Sequence, residues 1–267
     1  MFRLSLAVKP FTTVALMLGL MAGAQAAKVQ LQVTVENLAP QSSVSFAPLL
    51  VGFNSGIFDA FNIGQVATSP IISVAEGGTG FAWFPAFAKT DPTATLGMVL
   101  PSPAGPLLPG GMGTASFMID TAVNPFFTFA AMAIPSNDFF IGNDSPTRFR
   151  LFDQGGNLLI SSISQRASDI WDTGSEVFDP AAAAFVGNND LRTPQNSVVS
   201  FNFAELSGFN GLTTDAGYAF GNQLTVDTEV YRISFHTSPV PEPESYALLL
   251  AGLFSVGWMA RGRQVKV

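Results

Sequence analysis

The chain has 267 residues, no cysteine and one histidine, and its 19 acidic against 12 basic residues give a net charge of −7. Without cysteine, thiol catalysis, Cys-ligated zinc, iron–sulfur clusters and disulfide bridges are all excluded. Residues 27–240 carry seven basic and 17 acidic residues, a net charge of −10, so nucleic acid is excluded as a partner.

In chain order, residues 1–26 come first. Arg3 and Lys9 precede an apolar stretch from Phe11 to Met21, and Ala24-Gln25-Ala26 follows. A basic start, an apolar middle and a small-x-small end are the parts of a secretory signal peptide, expected to be cut after Ala26. Residues 27–238 are long enough for one domain with its own core.

KVQLQVTV (28–35) alternates Val29, Leu31, Val33 and Val35 with polar neighbours, the period of a half-buried strand. Ser69-Pro70 before IISVAE opens a short helix that Gly77-Gly78 ends, and Phe81 to Lys89 is a second. Four prolines and four glycines in residues 101–113 make that stretch a loop. FFTFAAMAI (126–134) is a nearly unbroken apolar run, expected as a strand covered on both faces. Residues 148–160 read as a hairpin turning at Asp153-Gln154-Gly155-Gly156. Residues 197–203 and 229–236 alternate as strands, while 205–228 give no clear period. The expected fold is mostly β, an antiparallel β-sandwich with one or two short helices.

The tail is two-natured. Pro241-Glu242-Pro243 precedes an uncharged run from Ser245 to Ala260, and Arg261 and Arg263 follow. Sixteen helical residues cover roughly 24 Å at ~1.5 Å each, short of a ~30 Å hydrocarbon core. Residues 239–267 are thus expected to end in a short hydrophobic helix that inserts in the membrane only transiently.

Little in the body suggests catalysis. His236, the lone histidine, falls on the last strand and is expected to face solvent at a sheet edge. Gly52-Phe53-Asn54-Ser55-Gly56 breaks the spacing of a nucleophile elbow. Acids do gather in two blocks: Asp138 and Asp144 in SNDFFIGNDS (136–145), and Asp169, Asp172, Glu176 and Asp179 in DIWDTGSEVFD (169–179). One hairpin separates them, so both are expected at one end of the sandwich. Loop carboxylates and carbonyls are the ligands a hard cation such as Ca²⁺ takes. The same residues are also ordinary turn formers.

Two resemblances extend this reading. The tail, VPEP followed by an apolar segment and Arg261 and Arg263, resembles a PEP-CTERM sorting signal. That implies a Gram-negative bacterium, processing by a membrane exosortase near Pro241-Glu242-Pro243, and association with exopolysaccharide and biofilm. The body resembles the bacterial spondin domain in ENLAP (36–40), SFAPLLVGFNSG (45–56), FNIGQVAT (61–68), VAEGG (74–78), MAIPSNDFFIG (132–142) and IWDTGSEV (170–177). The family implies a C2-like β-sandwich that binds a divalent cation, calcium, at one edge. Carried over by position, the ligands would be Asp138 and Asp172. Asp120 lies nearest to a third, one residue off the pattern, with Asn137 and Glu176 as outer groups. The implied role is an adhesion or binding module for a glycan or surface protein. The alternatives are a structural matrix component without metal and a secreted polysaccharide hydrolase.

Overall fold

The computed structural model describes residues 28–239, together with residue 250 and residues 252–254. Residues 1–26, Pro241-Glu242-Pro243, Arg261 and Arg263 lie outside the described residues. So does most of the expected tail helix; Leu250 and residues 252–254 are helical and exposed. No helix among the described residues is long and apolar enough to cross a membrane.

Eleven strands and two α-helices follow in order. They are β1 (Lys28–Asn37), β2 (Ser45–Phe46), β3 (Leu49–Asn54), α1 (Ser69–Gly77), α2 (Trp83–Thr90), β4 (Thr95–Val99) and β5 (Met112–Asp120). Then come β6 (Phe126–Ile134), β7 (Phe139–Gly142), β8 (Phe149–Arg150), β9 (Ser162–Arg166), β10 (Trp171–Asp172) and β11 (Glu229–Pro239). One sheet has the order β5-β1-β11-β9 and the other β10-β7-β6-β3-β4, with β2 and β8 also paired to β6. Every pairing is antiparallel.

Alternation in β1 is as expected: Leu31, Val33 and Val35 are buried, and Gln30 and Gln32 face out. They meet Ile233 and Phe235 of β11 and, across the core, Val51, Phe53, Phe127, Phe129 and Phe139 of the other sheet. The two sheets therefore pack face to face.

The unbroken apolar run of β6 has the expected cause. Phe127, Phe129, Ala131 and Ala133 point into the inter-sheet core. Ala130 on the opposite face joins a second core beneath the helices, with Leu50, Ile71, Val74, Trp83, Phe87 and Phe140. Phe58 stacks on Phe87 at 4.0 Å, and Trp83 meets Phe87 edge-on at 4.9 Å. Both helices fall where the sequence places them. Pro70 sits in the first turn of α1, and Gly78 caps it at φ +60, with its amide bonded to the Val74 carbonyl.

Some expectations need correction. Residues 197–203 form isolated bridges, Val66 to Val198 and Asp172 to Ser200, and Phe203 opens a 3-10 turn. An alternating pattern becomes a strand only where a partner runs alongside, and here the partners change within two residues. Residues 148–160 hairpin as expected, but the paired length is the two residues of β8 and a bridge from Phe152 to Leu158. His236 is exposed, yet β11 is an inner strand of its sheet. Residues 205–228, unreadable in the sequence, deliver Leu206, Phe209, Phe220 and Leu224 to the main core.

Candidate cation site

β10 is only two residues long, but its register decides the site. Trp171 pairs with Phe140 and Asp172 with Phe139, on the second sheet's edge. Asp138 immediately precedes β7, so Asp172 lies beside it. The two acid-rich blocks thus meet as expected. Asp138 is 2 % exposed and Asp172 8 %.

Asp138 holds the loop 172–176 in place. Its Oδ2 accepts hydrogen bonds from Thr173 Oγ1 at 2.8 Å, Ser175 N at 2.9 Å and Glu176 N at 3.1 Å. Its main-chain carbonyl accepts the Thr173 amide at 3.2 Å. Asp172 Oδ1 accepts the Gly174 amide at 2.6 Å. That short turn needs Gly174 at φ +67, where a Cβ would lie 2.9 Å from Val198 O.

The two carboxyl groups are within hydrogen-bond reach of each other. Burial pushes Asp172 up to about 7, the charge of Asp138 adds to it, and Glu205 contributes further. Two buried carboxylates this close cannot both stay charged without a proton or a cation between them.

Glu176 flanks the pair at 6 % exposure. Burial drives it up to about 7; Arg192 opposes that, while Glu76 and Asp138 reinforce it. Arg192 Nε lies 3.3 Å from Glu176 Oε2 without a well-aligned hydrogen bond. Asn137 accepts the Asp179 amide on Oδ1 at 3.4 Å, and its amide nitrogen faces Glu176 without completing a bond. Glu205, from the segment the sequence left unread, is raised by burial and by the charge of Asp138.

Asp120 does not join this group. It ends β5 in the other sheet, opposite Lys28, and its Oδ1 accepts the amides of Ala122 and Val123. β6 runs nine residues between that turn and Asp138, which at about 3.3 Å per residue separates them by roughly 30 Å. Asp120 caps a turn at the opposite end of the sandwich.

Hard oxygen donors, burial and unbalanced negative charge suit a cation such as Ca²⁺. The side chains as they stand supply part of a shell. Among the described residues no group of three or more Asp, Glu, His or Cys is set to hold a metal. Two carboxylates would have to be completed by backbone carbonyls and water. No family model matches the chain, and no curated protein is significantly similar to it.

Proposed function

We propose that the chain is an exported β-sandwich module of the spondin type, with a C2-like fold. A signal peptide and a PEP-CTERM tail would bring it to an exosortase, after transient insertion in the inner membrane. It would then act at the cell surface or in the extracellular matrix of a Gram-negative bacterium, binding a glycan or a surface protein. The proposed role is binding and not catalysis.

One observation carries this reading: Asp138 and Asp172, 34 positions apart in the sequence, are paired in a buried site at one end of the sandwich. They are the positions the spondin resemblance assigns as ligands. In this proposal Ca²⁺ takes the place of the proton between them, with Glu176 and Asn137 as outer groups. Asp120 is left out.

The test is thermal melting of residues 27–238 after EDTA, with and without millimolar CaCl₂ at matched ionic strength. Calcium should raise the melting temperature by several degrees, since a ligand at 100 times its Kd stabilises by about 2.7 kcal/mol. Asp172→Ala should fold and lose that response. Equal melting in all conditions would sink the calcium site.

A second reading has its own support. The bonds from Thr173, Ser175 and Glu176 to Asp138 already make it the clamp of a loop, as a metal-free structural component would use it. In that case calcium shifts nothing while Asp138→Ala still destabilises.

A further inference from the structure

At 2 % and 8 % exposure, Asp138 and Asp172 are reached from solvent only if something covering them moves. Residues 192–200 run antiparallel over the loop 172–177. Val177 N donates to Thr193 O at 2.8 Å, Gln195 N to Ser175 O at 2.7 Å and Ser197 N to Gly174 O at 2.8 Å. Asp172 and Ser200 exchange two more bonds at 2.8 and 3.0 Å.

This cover has almost no apolar anchorage. Residues 193–198 are all exposed, and Val199 alone is buried. Val199 is pinned on both sides, its amide to the Gln65 carbonyl and its carbonyl to the Gly64 amide, each at 2.8 Å. A space of about 170 Å³ lies beneath, between Thr173, Gly174, Ser175 and residues 195–197. Segments held by exposed backbone bonds open far more readily than core strands.

The far end is tied by one side chain. Arg192 Nη2 donates to the Glu76 carbonyl at 2.7 Å, Nη1 lies 3.9 Å from Glu76 Oε2, and Nε lies 3.3 Å from Glu176 Oε2. It joins the C-terminal end of α1 to the site loop, and its side chain is 18 % exposed. We propose that residues 192–198 are a strap hinged at Val199 and latched by Arg192, whose opening admits solvent species to the Asp138–Asp172 pair. What passes through rests on the calcium reading; the strap does not.

Two measurements test it without calcium. Hydrogen exchange should find the Val177, Gln195 and Ser197 amides opening well before those of β1 and β11. Carbodiimide coupling of glycinamide, mapped by peptide mass spectrometry, should label Asp172 and Asp138 at a rate that follows this opening. Arg192→Met should speed both by about ten-fold, as expected for losing a charge-assisted tie, and leave β1 and β11 unchanged. Arg192→Lys keeps the charge but not the fork, and should fall between; with wild type, it decides the matter if the Met variant does not fold. Strap amides as protected as β1, or labelling that ignores the latch, would overturn the proposal. If strap and labelling behave as stated but calcium moves no melting curve, the gate stands and the calcium reading falls. A calcium response with a strap that opens only on global unfolding gives the reverse.

Discussion

At Asp172 a carboxyl group sits where its charged form is costly. Its pKa, about 7 in the folded chain against 3.8 ordinarily, means the folded state binds more protons than the unfolded state between those values. Stability from this group is fully present below the unfolded pKa and is lost as pH rises through the folded one. Calcium-free protein should therefore melt lower at pH 8 than at pH 5.5, with Glu176 adding in the same direction. Asp172→Asn keeps the shape and removes the titration. It should flatten that profile and stabilise the protein at pH 8 by roughly 1–2 kcal/mol, since each pKa unit is worth ~1.4 kcal/mol and the pair shares its repulsion. Melting curves across pH for both proteins check this; parallel profiles would count against the carboxyl pair. The types of residue at this site were legible in SNDFF and WDTGSE, but their pairing was not. It depends on a two-residue strand, β10, which is too short to leave a periodic signature.

At the scale of elements, α2 shows how the sequence pattern and the packing agree. Its buried residues are Trp83 and Phe87, four apart on one helix face. Phe87 fills the space above Gly52 of β3, where an added Cβ would lie 2.4 Å from the ring. Phe87→Ala should remove the stacking with Phe58 and the edge contact with Trp83, costing about 3–5 kcal/mol. Urea unfolding followed by tryptophan fluorescence measures it, and a loss under 1 kcal/mol would mean that α2 contributes little. The same principle explains the misread element at 197–203. Its alternating residues are real, but the chain beside them changes from residue 66 to residue 172, so bridges form and a ladder does not. For β5, the pattern was weak because only Gly113 and Ile119 are fully buried.

Across the whole molecule the acid excess is the dominant long-range term. Residues 27–240 carry a net charge of −10, with several acids drawn to the end of the sandwich that holds Asp138, Asp172, Glu176 and Glu205. Self-repulsion of this kind is screened by salt. Raising NaCl from 20 to 300 mM should increase the melting temperature by a few degrees in both wild type and Asp172→Ala. A calcium effect beyond that, in wild type alone, separates a bound ion from screening; no salt response at all would remove the repulsion argument.

The sequence by itself determined the β-rich class, the strands β1, β6 and β11, both helices and the two acid-rich blocks. These rest on local periodicity, capping and composition, which a short window contains. Only the tertiary structure decided that Asp138 faces Asp172, that Asp120 lies at the other end of β6, and that Glu205 and Arg192 approach the site. Those facts depend on strand register and on which segments cross over the sheet edge. Register is set by pairing between residues far apart in the chain, and a pattern read along the chain does not contain it.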